Sequence, residues 1–171
     1  MPPHVTDALT ALQFGVEGAR WRPPENFHLT LAFIGETDRH GFNDALDALS
    51  GVTAPAFDVR LSGAGFFGDR RPRALWAGAQ ASPALSHLQG KVETALRRKG
   101  FGLEARKFTP HVTLAYLKGA AREDAAAYCA ANGLFSTPAF PVEAFHLYSS
   151  RLGGEASIYH IEASYSLSLS R

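Results

Sequence analysis

The sequence predicts an α+β fold built on an internal duplication. One short pattern occurs twice: Phe27-His28-Leu29-Thr30-Leu31-Ala32-Phe33 and Pro110-His111-Val112-Thr113-Leu114-Ala115-Tyr116, each reading His-x-Thr-Leu-Ala and then an aromatic residue. Helical and strand periodicities are interleaved along the chain instead of being segregated. Both copies of the motif also sit in a similar strand-then-helix order.

The elements follow from local signals. Thr6 to about Gln13 carries Leu9 and Leu12 at helical spacing behind a Thr-Asp start, predicting a short helix. Ala19 to Arg22 reads as a strand and Pro23-Pro24-Glu25-Asn26 as a turn into the first motif, itself read as a strand. Phe42, Ala45, Leu46 and Leu49 define a helix stopped by Gly51. Strands are expected near Phe57 to Leu61 and Ala74 to Gln80. Ser82 and Pro83 then open a helix with Leu85, Leu88, Val92 and Leu96 on one face, ending at Gly100. Arg97, Arg98 and Lys99 suit the negative end of its dipole. The second motif reads as a strand, followed by a helix from about Arg122 to Asn132. Strands near Ala139 to Ser149 and Ile158 to Ser168 complete the chain, the last alternating Tyr159, Ile161, Ala163, Tyr165 and Leu167.

Composition bounds the class. A chain of 171 residues, 46% hydrophobic and 19% charged, is long enough for one domain with a real core. No linker or low-complexity tract divides it, so a single domain over 1–171 is expected. A net charge of +1 lacks the basic stripe of a duplex binder but is compatible with a small anionic ligand. Cys129 is the single cysteine, and no apolar leader or long apolar span occurs, so no membrane association and a reducing cytoplasm are expected.

The repeated motif carries the chemistry. Alternate strand residues share a face, so His28, Thr30 and Ala32 oppose Leu29, Leu31 and Phe33, while His111, Thr113 and Ala115 oppose Val112, Leu114 and Tyr116. A His and the Thr two places on are about 6.5 Å apart at Cα, close enough to converge on one small anion. Two imidazoles make an acid/base pair near neutral pH. Two threonine hydroxyls can clamp phosphate oxygens as charge builds on them. Attack of water on a phosphodiester needs such a set and no metal or other cofactor. Zinc is the competing reading, with Glu25, Glu36 and Glu104 near the motifs, although a third ligand is not supplied by the motif itself. A single His-x-Thr could be the wet face of an ordinary strand; two near-identical copies argue for function.

The two motifs, with Arg20-Trp21-Arg22-Pro23-Pro24-Glu25-Asn26-Phe27 before the first and Phe108-Thr109-Pro110 before the second, resemble those of the 2H phosphoesterase superfamily. More closely, the chain is similar to the bacterial RNA 2′,3′-cyclic phosphodiesterases, historically named 2′-5′ RNA ligases. Arg73 to Gly78, the Ser82 to Gly100 helix, and Leu147-Tyr148-Ser149-Ser150-Arg151-Leu152 followed by Tyr159 extend the likeness over nearly the whole chain. The resemblance implies two pseudo-symmetric lobes, each a mainly antiparallel sheet backed by helices, and a central cleft where the motifs meet. It implies His28 and His111 as the acid/base pair in either order, and Thr30 and Thr113 as phosphate grips. Ser150 and Arg151 are candidates for substrate phosphate or sugar. The implied reaction opens the 2′,3′-cyclic phosphate of an RNA end or nucleotide to a 2′-phosphate in a monomeric enzyme, and joining ends through a 2′-5′ bond is the reverse of related chemistry. A non-catalytic nucleotide or RNA-end binding module is the alternative. One departure is the short apolar strand that usually opens such chains, which is not seen before Met1-Pro2-Pro3-His4.

Other residues receive plainer readings. His4, His40, His87, His146 and His160 lack the Thr partner and read as surface or structural groups. Arg70, Arg71 and Arg73 form a basic turn. Phe27, Phe108 and Tyr116 flank the motifs and can stack on a base, but on strands aromatic residues are more often core. Trp21 and Trp76 are expected in the core, and Cys129 as a small packing residue.

Overall fold

The computed structural model describes residues 1–105, 107–152 and 157–168. Among them, in chain order, are helix α1 (Pro3–Thr10), strand β1 (Ala19–Trp21), helix α2 (Arg39–Ser50), strands β2 (Phe57–Val59), β3 (Leu61–Phe67) and β4 (Ala74–Ala79), helix α3 (Pro83–Arg98), strand β5 (His111–Leu117), helix α4 (Arg122–Ala131), and strands β6 (Phe140–Val142), β7 (Ala144–Leu152) and β8 (Ser157–Ser166). The chain is thus α+β, as the periodicities predict, with the antiparallel strand pairing that the family resemblance implies.

Helix ends follow their capping residues. The Ser82 hydroxyl accepts from Leu85 N at 3.1 Å and Pro83 occupies the first turn of α3, where its missing N–H costs nothing. Asp38 caps α2 by accepting from Gly41 N at 2.8 Å. The first helix begins earlier than Thr6. Pro3 opens it, and Thr6 lies inside, donating its hydroxyl back to Pro2 O.

Two compact units emerge from the packing. The first comprises Met1–Leu29, Arg60–Gln80 and Thr109–Phe140. Its four-stranded sheet has the order β1-β5-β4-β3, every neighbour antiparallel. One sheet face is buried, with Leu75, Ala77, Val112, Leu114 and Ala115 all fully enclosed. Trp21 lies on that face, and its ring meets Tyr128 of α4 at 6.1 Å. Tyr128 in turn donates its hydroxyl to Leu12 O at 2.9 Å, joining α4 to the end of α1; burial pushes its pKa up to about 12, so it remains a donor.

The second unit comprises Thr30–Val59, Ala81–Phe108 and Pro141–Arg171. Its core joins Ala45 and Leu49 of α2, Leu88, Val92 and Leu96 of α3, and Phe145 and Leu147 of the β7–β8 hairpin. Phe145 stacks on Tyr165 with centroids 4.9 Å apart.

The sequence reading departs from the structure in the strands as well. The segment 62–67, to which the local signals assign no element, is strand, because the backbone of Ser-Gly-Ala-Gly-Phe-Phe is paired along β4. The alternation expected in the last strand breaks at an extra residue, Glu162, between the pairs Leu147↔Ala163 and Tyr148↔Ile161. Ile161 is accordingly 55% exposed, sharing a face with exposed Tyr148. The first motif itself also differs. It is extended chain held by one antiparallel bridge, Leu29↔Val112, and not a strand. Phe33 is exposed, while Leu31 and Ala32 pack together against the core of the second unit, so strict alternation does not hold there.

Candidate active site

The second motif is positioned by the sheet. β5 places His111 opposite Gly78 and Thr113 opposite Trp76, with Val112 opposite Ala77 on the buried side. The face carrying His111 and Thr113 is therefore the one turned away from the core. A bulge follows: Thr113 pairs with Trp76 and Ala115 with Leu75, leaving Leu114 as the extra residue. This reverses the phase of the strand. Ala115 is buried, and Tyr116, expected beside Leu114 in the core, joins the face of His111 and Thr113 and is 43% exposed.

The first motif is brought to this strand by the Leu29↔Val112 bridge. Antiparallel register then sets His28 beside Thr113, one step on from the bridge. His111 is close enough for its positive charge to lower the pKa of His28. Their rings are also held in matching ways. His28 Nδ1 is 2.8 Å from Asn26 O, and His111 Nδ1 is 2.6 Å from Thr109 O, in each case a carbonyl two residues upstream. A carbonyl can only accept, so Nδ1 carries the proton in both rings and Nε2 bears the lone pair of the neutral form.

The surroundings are aromatic and cationic. The His111 ring meets Phe67 edge-on at 4.8 Å and Trp76 at 6.1 Å, and Phe67 and Trp76 lie 5.5 Å apart. Trp76 is thus half-buried beside His111, not in the core as its size suggests. Its ring lies over Gly65, where any side chain would overlap it. Trp21, the other tryptophan expected in the core, does lie on the core side. Burial depresses the pKa of His28 below 6.5; the bond to Asn26 opposes this, while the positive charges of Arg22 and His111 add to the lowering. At neutral pH His28 is the uncharged imidazole.

The other candidates are distributed as follows. Thr30 is half-buried and its contacts assign it to the second unit, whereas His28, His111 and Thr113 all belong to the first. Ser150 is exposed on β7 opposite Tyr159 in the second unit. Arg151 pairs with Ile158 along the same hairpin, and its side chain lies outside the described residues. Glu25, Glu36 and Glu104 are all at exposed positions, and among the described residues no three His, Cys, Asp or Glu side chains are grouped to hold a metal. His40 pairs with Asp44 at 3.5 Å on α2, and His146 meets the Ser164 hydroxyl at 2.8 Å, both at the surface. No helix is long and apolar enough to cross a membrane, among the described residues.

The family model of the 2′-5′ RNA ligase superfamily matches residues 1–154. The chain belongs to that superfamily. It is 33% identical to an RNA 2′,3′-cyclic phosphodiesterase of Thermus thermophilus over 179 aligned positions, covering 98% of this chain and 86% of the relative. It is 36% identical to one of Geobacillus stearothermophilus over 112 positions, covering 64% of this chain and only 34% of that protein, about a third of its length. Among solved structures, E. coli LigT complexed with 3′-AMP superposes with a TM-score of 0.79 at 25% identity, covering 98% of this chain and 93% of LigT.

Placed in the 2′-5′ RNA ligase superfamily by these matches, the chain still has features that reading its motifs missed. Arg22, Phe67 and Trp76 surround the histidines, yet none stands in a His-x-Thr pattern. The available signal was the glycines: Gly65 and Gly78 flank Trp76 in the sheet, and small residues on both sides of a tryptophan mark a ring laid flat across a strand.

Proposed function

We propose that this chain is an RNA 2′,3′-cyclic phosphodiesterase that hydrolyses 2′,3′-cyclic phosphate ends to 2′-phosphates by metal-independent two-histidine catalysis. The observation that carries the reading is the matched pair of imidazoles, each with Nδ1 fixed to a carbonyl two residues upstream. His28, held neutral by burial, is the base. Its Nε2 takes a proton from water as the water oxygen attacks phosphorus. The bond from phosphorus to the 3′ oxygen breaks, and that oxygen takes a proton from Nε2 of His111, the acid by elimination. The product has a 2′-phosphate and a 3′-hydroxyl, and proton exchange with solvent restores both rings. Thr113 and Thr30 donate to the non-bridging oxygens, and Ser150 and Arg151 contact the substrate beyond the reacting phosphate. Joining ends through a 2′-5′ bond is a related activity of the same groups.

Residues 1–171 act as one bilobal domain, monomeric and cytoplasmic, with RNA ends or cyclic nucleotides as substrates. The names of the relatives and the nucleotide complex of LigT support this substrate class. The test is turnover of a nucleoside 2′,3′-cyclic phosphate in the presence of EDTA. Hydrolysis is expected to persist, and His28→Ala and His111→Ala should each lower kcat by about 10²- to 10⁴-fold. Dependence on added metal would defeat the mechanism. Binding without turnover would identify a non-catalytic RNA-end module instead.

A further inference from the structure

Arg22 stands just beyond β1 and, with Thr137, is one of two buried polar side chains among the described residues, only 5% exposed. Its backbone is fixed on both sides. Arg22 N donates to Leu114 O at 2.8 Å. Its own carbonyl accepts from Gln13 Nε2 at 2.7 Å, and the same amide reaches Leu114 O at 3.3 Å. Residue 114 is the bulged residue of β5, so the chain around Arg22 is tied to the one point where that strand changes phase.

The bulge also prepares a seat for the side chain. By turning Tyr116 onto the face of His111 and Thr113, it brings a phenol ring under the guanidinium, whose carbon lies 5.4 Å from the ring centroid. Arginine stacks on such a ring through the face of its guanidinium, whose planar edge of N–H donors matches phosphate oxygens. The positive charge is near enough to His28 to act on its titration. One permanent cation is therefore held beside the base, on a strand pair that also presents Thr113 and His111.

A cyclic phosphodiester is an anion whose charge rises when water adds to phosphorus. The guanidinium fork matches two phosphate oxygens, and a fixed cation costs no reorganisation as the charge develops. We propose that Arg22, seated on Tyr116, binds the non-bridging oxygens of the phosphate on which His28 and His111 act. The inference rests on the two-histidine reading above and adds a residue to it.

The experiment separates the two. Wild type, Arg22→Met and Arg22→Gln are compared for hydrolysis of a nucleoside 2′,3′-cyclic phosphate and, by calorimetry, for binding of the corresponding nucleoside 2′-phosphate and of the uncharged nucleoside. Each variant should lose about 10²- to 10³-fold in kcat/KM, as removal of a preorganised donor does. Nucleotide affinity should fall at least about tenfold, the scale of a lost charge-assisted bond, while nucleoside affinity stays within about twofold. Tyr116→Leu should show the same pattern, more weakly. If Arg22→Met fails to fold, Arg22→Gln, which keeps a polar head of similar reach, carries the comparison. Equal losses for nucleotide and nucleoside would overturn the assignment in favour of a structural role, as would unchanged kcat/KM with intact folding. A wild type that binds the nucleotide through Arg22 but never turns substrate over would defeat the hydrolase reading and leave the phosphate contact standing.

Discussion

His28 and His111 share a motif and a backbone tether but differ in what lies around them. Arg22 bears electrostatically on His28, while the Phe67 and Trp76 rings flank His111. The depressed pKa of His28 links the site to stability. An unfolded His28 titrates near 6.5 and the folded one lower, so between those values the unfolded chain binds the extra proton. Stability is then greatest above pH 6.5 and is lost as pH falls from 6.5 through the folded pKa. Urea midpoints measured from pH 8 to pH 5 should show this loss, and His28→Gln should flatten it. With His28 as the proposed base, the same titration should give kcat/KM an acid limb below 6.5 that is lost in His28→Gln. Thr113 offers a separate test. Thr113→Val preserves branching while deleting the hydroxyl, so melting should hold and kcat should fall about 10- to 10³-fold. Thr30→Val should behave alike; a normal kcat in a normally melting variant would show an idle hydroxyl.

At the scale of the element, β4 and β5 act as a platform whose two faces have separate jobs. Leu75, Ala77 and Val112 face the core, while Trp76, His111 and Thr113 face the other way. Gly65 on β3 makes room for the Trp76 ring that abuts His111. Gly65→Ala should push that ring aside, costing about 1–3 kcal/mol as overpacking does. Tryptophan fluorescence should shift, and kcat should fall with it; an unmoved spectrum with full activity would show that the ring does not depend on the glycine. The bulge at Leu114 is a second device of the element, since without the extra residue Tyr116 would point into the core.

For the molecule as a whole, stability is carried by the apolar cores of the two units. The second unit is held by Leu49, Leu88, Val92 and Leu96 against Phe145 and Leu147. Leu88 is 1% exposed, so Leu88→Ala should cost about 2–5 kcal/mol, read from chemical denaturation. Turnover per folded molecule at low temperature should be unchanged, because Leu88 lies in the core of the second unit and the histidines in the first. A lowered kcat at full folding would show that this core also shapes the site.

The sequence by itself determined the α3 helix almost to the residue, because Ser82, Pro83 and the apolar spacing of Leu85, Leu88, Val92 and Leu96 are local signals that tertiary contacts had no reason to override. It also singled out His28 and His111 as the candidate pair, since a duplicated pattern is visible without any geometry. Period-two reasoning failed at Tyr116 and at Ile161, where one extra residue reverses the phase; a bulge is a property of the paired strand and leaves no mark on the strand that bears it. Only the tertiary structure decided that the first motif is held by a single bridge, that Trp76 lies beside His111, and that Arg22 sits over Tyr116. Each is a contact between residues far apart in the chain, and local propensity contains no term for such contacts.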